Sequence, residues 1–472
     1  MKRRTFIRNT GLFGAGYFLS TNFSFASTPV YPVVRVPESS RHFTSKAIEK
    51  AIVEFKKNVK NEELGWLFEN CFPNTLDTTV TYSTKNNRPD TYVITGDIDA
   101  MWLRDSSAQV WPYLPFMKQD KALKDLIAGV INRQTKCILK DPYANAFYDD
   151  ENKVGEWKDD ITDMKPGLHE RKWEIDSLCY PIRLAYHYWK ATGDTRPFDN
   201  DWQNAIKATL KTFIEQQRKE NDGPYSFQRK TAWATDGVPM NGFGYPVKPV
   251  GLICSAFRPS DDATVFSFLI PSNFFAVTSL KQASEMMKSI TKDNETAAKL
   301  DALAKEVEEA LAEHAVVDHK VFGKVYAFEV NGMGSFNLMD DANVPSLLSL
   351  PYLGAVKNTD PIYINTRKMV LSEYNPFYFK GSAAAGIGGP HIGKDMIWPM
   401  SITMQALTSD DAVEIKNCIE TLRKTHGDTG FMHESFHKDN PKKFTRAWFA
   451  WANTLFGELL WKTYTENKNI LA

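Results

Sequence analysis

Residues 120–139 read DKALKDLIAGVINRQTKCIL, and their spacing decides the class of fold. Leu123, Leu126, Ile127, Val130 and Ile131 recur at intervals of three and four, which places them on one face of an α-helix. The same periodicity occupies residues 45–60, where Ile48, Ile52 and Phe55 share a face. It returns in residues 175–191, 202–217, 273–289, 296–313, 361–373, 396–407, 412–424 and 445–463. With shorter stretches at 105–115 and 344–352, the expected total is about twelve helices. Most are followed by loops rich in Gly, Pro and Asp, and strand signals are confined to short pieces such as 78–82 and 321–330. Six helical hairpins closed into a ring account for this pattern. The fold class is therefore all-α, an (α/α)6 barrel whose long loops gather at one end. A stacked solenoid would show a fixed repeat period, and none is present. No Pro/Gly/Ser-rich linker interrupts the chain, so residues 27–472 are expected to form a single domain.

Composition excludes several classes. The 472 residues are 43% hydrophobic and 24% charged, unlike a disordered tail, a collagen-like fibre or a polytopic membrane protein. Lys+Arg and Asp+Glu both number 57, so no basic excess points to nucleic acid. Aromatic residues reach 13%, which fits either a large core or rings on which sugar faces lie flat. Cys71, Cys137, Cys179, Cys254 and Cys418 are far apart and odd in number, so buried free thiols are expected, with one bridge possible after export.

Residues 1–26 read as an export leader. Lys2, Arg3, Arg4 and Arg8 form a positive start, residues 11–20 (GLFGAGYFLS) an apolar core, and Ser24-Phe25-Ala26 a small-x-small cleavage site. The apolar core is about half the roughly twenty residues a bilayer requires, so no membrane span is expected. Arg3-Arg4 followed by Phe6 resembles a twin-arginine signal, with Sec export as the alternative. No Cys near the cleavage site marks a lipoprotein. Without the leader, 53 basic residues face 57 acidic ones, and the expected location is a bacterial periplasm.

The loops carry the chemistry. Residues 96–106, GDIDAMWLRDS, place Asp97, Asp99, Trp102, Arg104 and Asp105 beside a helix start. Asp105 or Ser106 can cap that helix, but a cap leaves Trp102, Arg104 and the other carboxylates unexplained. Adjacent Arg and Asp offer donors and acceptors that fork onto neighbouring sugar hydroxyls. Residues 172–177, KWEIDS, bring Asp176 to a second helix start, where dipole stabilisation explains the acids equally well. Residues 257–263, FRPSDDA, hold Arg258, Asp261 and Asp262, with Ser260 or Asp261 as alternative caps. Residues 332–337 (GMGSFN) and 340–343 (DDAN) make a fourth loop. Residues 388–395, GGPHIGKD, carry His391 with Trp398 behind, and no phosphate-cradle motif occurs.

Residues 433–437, HESFH, match the H-E-x-x-H zinc peptidase pattern. That chemistry requires both His on one face of a stable helix. Gly427, Gly430 and Pro441 bound the stretch, so it reads as a loop, and no third ligand follows at a recognisable spacing. Glu434 is expected as a loop-borne carboxylate facing a pocket, without a metal. No G-x-S-x-G supports a serine triad.

These motifs, in this order, resemble the bacterial exo-α-1,6-mannosidases of glycoside hydrolase family 125. The resemblance runs from about residue 61 to the C-terminus. It rests on GDIDAMWLRDSSAQVWPY (96–113), KWEIDSLCYP (172–181), FRPSDDA (257–263) with IPSNFFA (270–276), and GMGSFN with DDANVPSLL (340–348). GPHIGKDMIWPM (389–400) and TGFMHESF (429–436) with FTRAWFAWANTLFGELL (444–460) complete it. The resemblance implies an (α/α)6 barrel, release of terminal non-reducing mannose from α-1,6-linked mannosides, anomeric inversion, and no metal or organic cofactor. Asp261 or Asp262 then corresponds to the general acid, with Asp261 favoured, and Glu434 to the general base. Arg104 and Asp105 would hold the terminal mannose, with Asp99, Trp102, Asp176, Arg258, Asp262, His391 and His433 lining the sugar site. The implied partners are α-1,6-linked mannosides, with no nucleic acid, and the chain is expected to be a monomer. Another sugar-active barrel enzyme and a non-catalytic glycan-binding protein are the alternatives. The three carboxylates Asp261, Asp262 and Glu434 favour an enzyme.

Overall fold

The computed structural model describes residues 31–471, and the leader read in residues 1–26 lies outside them. The first helices are α1 (Lys46–Asn58), α2 (Glu62–Cys71), α3 (Asn74–Thr78), α4 (Leu103–Val110), α5 (Lys121–Lys140), α6 (Ile175–Thr192) and α7 (Asn200–Gln216). Then come α8 (Ile270–Met286), α9 (Asn294–His314), α10 (Pro361–Val370), α11 (Pro399–Leu407), α12 (Ala412–Lys424) and α13 (Ala450–Asn467). They sort into two rings by burial. In α4, α6, α8, α11 and α13 most of the residues are buried. In α1, α7, α9, α10 and α12 an apolar stripe faces inward and charged residues face out, whereas outer α5 is mostly buried because the strand Arg88–Val93 covers it. Helices apolar all round belong inside, and amphipathic ones outside.

Inner neighbours pack in chain order, α4 on α6 and α6 on α8, while α13 meets both α11 and α4 to close the ring. Outer α5 packs on α7 and α7 on α9, and the outer layer rests on the inner through α5 on α6, α8 on α9 and α11 on α12. This is the (α/α)6 barrel expected from the periodicity.

One inner member is not helical. Residues 344–353, expected as a helix over 344–352, are buried turns instead. Pro345 and Pro351 remove two backbone donors. The Asp340 carboxylate accepts from the backbone of Leu347 at 2.8 Å and Leu348 at 3.0 Å, replacing helical acceptors. Tyr180 of α6 donates to the Val344 carbonyl at 3.0 Å, and Tyr363 of α10 to that of Leu348 at 2.8 Å.

Other boundaries move for local reasons. The helix expected over 105–115 begins at Leu103 and passes at Trp111 into a 3-10 turn containing Pro112 and Pro115. Asp105 is therefore inside the first turn, and neither it nor Ser106 is the cap. The helix expected from 445 begins at Ala450, because Asn440–Thr445 forms a strand. The expected strand signals appear as the hairpin Val80–Lys85 with Arg88–Val93, and as Gly323–Tyr326 paired with Val316–His319. All five cysteines are buried and free. No helix among the described residues is long and apolar enough to cross a membrane.

Candidate active site

The loops preceding the inner helices are laced together by very short strands. Met101–Trp102, just before α4, pairs with Ala146–Phe147, which pairs with Leu168–Glu170 ahead of α6. Met396–Ile397, ahead of α11, pairs with Ser435–His437. A bridge from Gly96 to Phe449 joins the α4 and α13 approaches. A side chain on Gly96 would strike the Trp448 carbonyl at 2.3 Å, so this closure requires glycine. Backbone pairing thus brings residues far apart in sequence to one end of the barrel.

Arg104, in the first turn of α4, stands at the centre. Four carboxylates lie within 3.5 Å of its guanidinium: Glu174 at 2.6 Å, Asp176 at 3.2 Å, Asp105 at 3.4 Å and Asp261 at 3.5 Å. One guanidinium cannot neutralise four buried carboxylates. Burial pushes Glu174 well above the usual carboxylate range against the pull of Arg104, and Asp261 and Asp176 add to the rise. Burial likewise pushes Asp176 up to about 6, with Arg104 opposing. Burial and Glu170 push Asp261 up, but Lys172, Arg104 and a hydrogen bond from Glu174 outweigh them, so Asp261 ionises more readily than its neighbour. Asn145 Nδ2 lies 3.4 Å from Glu174 Oε1 and 3.3 Å from Asp261 Oδ1, bridging the two. Lys172, wholly buried, donates to the Asp261 carbonyl at 2.9 Å and to Asp236 at 2.6 Å.

The two consecutive aspartates differ. Asp261 has φ +66°, left-handed backbone that Asp tolerates better than most residues and that often marks functional strain. Its side chain is 17% exposed, against 2% for Asp262. Asp262 accepts from Ser260 at 3.2 Å and lies 3.5 Å from His391 Nδ1. Burial lowers the His391 imidazole, but the charges of Asp262, Glu434 and Asp261 carry it above its ordinary value. His391 therefore lies in the field of all three.

Glu434 is 3% exposed, with Oε1 3.5 Å from Arg446 Nη1. Arg446 is held in turn by Asp97 at 2.6 and 2.8 Å. Several buried polar atoms here lack a hydrogen-bond partner among the described residues: Trp102 Nε1, Asp105 Oδ2, Asp176 Oδ1 and Trp398 Nε1. Buried polar atoms are rarely left unpaired, and a ligand rich in hydroxyls matches this mixture of donors and acceptors.

Three expected sugar-site residues are not brought into this cluster. Asp99 is exposed and pairs with Lys153 at 3.1 Å. Arg258 donates to Glu329 at 2.7 Å, which anchors its loop from behind. His433 Nε2 lies 3.1 Å from Thr429 Oγ1 and 3.2 Å from the His426 carbonyl, and its ring stacks on Phe444 at 3.7 Å. The HESFH stretch runs extended into the strand Ser435–His437, so its two histidines cannot share a helical face. No group of three or more His, Cys, Asp or Glu among the described residues is arranged to hold a metal ion. Glu174, Asn145, Lys172 and Arg446 belong to the cluster without having been singled out. Glu174 lies inside the KWEIDS motif, whereas Asn145 has no local signal at all.

Known proteins match this chain along most of its length. The family described as metal-independent α-mannosidase (GH125) matches residues 61–461. The meiotically up-regulated gene 157 protein of Schizosaccharomyces pombe is 43% identical over 448 residues, covering 91% of this chain and 88% of that protein. A metal-independent α-mannosidase from Streptococcus pneumoniae, solved as a non-productive substrate complex with α-1,6-mannobiose, is 41% identical with a TM-score of 0.87. That match covers 90% of this chain and all of the solved one. The Saccharomycopsis fibuligera glucoamylase is 13% identical at TM-score 0.53, covering 91% of this chain and 98% of its own, and shares the fold alone.

Proposed function

Because this chain belongs to the metal-independent α-mannosidases of glycoside hydrolase family 125, we propose that it is an inverting, exo-acting α-1,6-mannosidase with Asp261 as general acid and Glu434 as general base. The observation that carries this reading is that two buried carboxylates from different loops, Asp261 beside Arg104 and Glu434 beside Arg446, both act through their charge on His391. Glycoside hydrolysis needs one carboxyl group that gives a proton and one that takes a proton. Asp261, partly exposed on strained backbone, protonates the glycosidic oxygen as the bond to the anomeric carbon breaks. Glu434, kept beside the Arg446 guanidinium, takes a proton from the water attacking the opposite face. Arg104, Asp105 and Asp176 bind hydroxyls of the terminal mannose through the polar atoms the protein leaves unpaired. Asp262 holds His391 rather than giving a proton. The 41%-identical Streptococcus relative with bound α-1,6-mannobiose supports the linkage.

The proposal includes one catalytic domain over residues 27–472, acting as a monomer on mannose-containing glycans. It also includes export to a bacterial periplasm, read from residues 1–26 alone; a mature protein beginning at Ser27 on N-terminal sequencing supports export. Side-by-side digestion of α-1,2-, α-1,3- and α-1,6-linked mannobiose tests the specificity. Only the last should be cleaved efficiently, and release of larger fragments from inside a mannan would contradict the exo mode.

A further inference from the structure

The general acid of the proposed mechanism occupies an unpromising place. Asp261 lies 3.5 Å from Arg104, and the Lys172 ammonium donates to its own carbonyl at 2.9 Å. Two cations so close favour the ionised carboxylate, yet a general acid must reach the substrate protonated. Something must return the proton, and the carboxyl group of Glu174 is the one built to do so. It is fully buried at the start of α6, and the same two donors, Arg104 and Asn145, hold both it and Asp261. Two buried carboxylates gathered on shared donors repel each other, and a proton on one of them relieves that repulsion. Asn145 Nδ2 reaches both at 3.4 and 3.3 Å, and Arg104 reaches both at 2.6 and 3.5 Å. Ser177 donates to Glu174 at 2.8 Å and fixes its orientation.

We propose that Glu174 and Asp261 hold one proton between them, and that Glu174 is the positioning residue that delivers this proton to Asp261 for transfer to the glycosidic oxygen. The assignment rests on Asp261 being the general acid. A singly protonated pair carries one negative charge instead of two, which lowers the excess of carboxylates gathered on Arg104. During cleavage the proton leaves the pair for the departing oxygen, the bonding electrons go to that oxygen, and the water proton passes to Glu434. The pair then carries no proton until solvent restores it. The charged groups facing the pair are Arg104 and Asp105 from α4, Asp176 from α6, and His169, Glu170 and Lys172 from the chain before α6, with His391 across the mouth. Of the carboxylates around Arg104, Glu174 is the one that Asn145 joins to Asp261.

The test compares wild type, Glu174→Gln and Asp261→Asn on two substrates, α-1,6-mannobiose and 2,4-dinitrophenyl α-mannoside, whose leaving group needs no protonation. Glu174→Gln keeps the shape and a hydrogen bond but cannot store the proton. It should lower kcat/KM on mannobiose by about 100-fold and move the basic limb of its pH profile to lower pH. It should leave the dinitrophenyl substrate within a few-fold of wild type, a readout that also reports a folded site. Equal losses on both substrates, or an unmoved basic limb, would mean that Glu174 only shapes the site and would overturn the proposal. If Glu174→Gln does not fold, infrared difference spectroscopy decides: wild type at neutral pH should show one protonated-carboxyl band more than Asp261→Asn, and equal bands in the two would overturn the proposal. Failure of the parent reading looks different, because Asp261→Asn would then leave mannobiose cleavage intact or impair both substrates alike.

Discussion

Seven helices, α1, α2, α5, α7, α9, α10 and α12, begin on a Ser, Asn or Asp whose side chain accepts a backbone N–H of the first turn. The inner helices α4, α6, α8, α11 and α13 begin on Trp102, Glu174, Leu269, Trp398 and Phe449, with no side-chain cap. A side-chain cap contributes about 1 kcal/mol, so each inner helix starts without a stabilisation that the peripheral helices take. What stands at several inner starts instead is Arg104, Asp105, Glu174 and Asp176, or an indole with an unpaired N–H. The difference separates two duties. Peripheral helix starts stabilise the fold, and inner helix starts position chemistry.

Substitutions at the two kinds of start should therefore separate activity from stability. The largest effect is expected in the loop leading to α13, where Glu434→Gln should reduce kcat by about 10²–10⁴-fold while calorimetry still detects mannoside binding. Retained turnover would remove Glu434 from the mechanism. Next comes Asp105→Ala at the start of α4. Losing a buried charged hydrogen bond to a substrate hydroxyl should cost about 2–5 kcal/mol in kcat/KM, with both limbs of the pH profile retained. Loss of a limb of that profile would make Asp105 an acid or a base. At a peripheral start, Asp360→Ala removes the bond from the Tyr363 N–H at 2.8 Å. It should lower unfolding free energy by about 1 kcal/mol in denaturant titration and leave kcat/KM alone.

The smallest effect concerns His433, whose burial holds its imidazole down to about 4 from an ordinary 6.5. The unfolded chain binds the proton first, so this contribution to stability is complete above about pH 6.5 and is lost as the pH falls toward 4. His433→Gln should flatten the fall of stability over that window. An unchanged slope would place the titration on other groups, among them His187, whose burial also holds it at about 4.

Both regions are legible in the sequence: peripheral α5, α7, α9 and α12, and inner α6 and α8, appear in the periodicity within a few residues of their ends. Legibility fails where a short segment is buried on nearly every side. The segment 344–353 has the apolar content of a helix, but the Asp340 carboxylate and two prolines take its backbone elsewhere. In α2, seven of ten residues are buried, and no polar stripe announces it. For the site, motifs disclosed residues that share a loop, such as Arg104 with Asp105 and Asp261 with Asp262. They did not disclose Asn145, which lies in no motif and whose role arises only when short strands bring the loops together. Asp99 and His433 show the converse, because position within a motif does not make a side chain face the pocket.

The account centres on a water activated by Glu434 on the face opposite the proton from Asp261, and stereochemistry reports that directly. Proton NMR of α-1,6-mannobiose during the first minutes of hydrolysis, before the anomers equilibrate, identifies the mannose first released. The account predicts β-mannose, with the α anomer growing in afterwards by mutarotation. Initial release of α-mannose would contradict it and would require a covalent intermediate that these two carboxylates were not assigned to form.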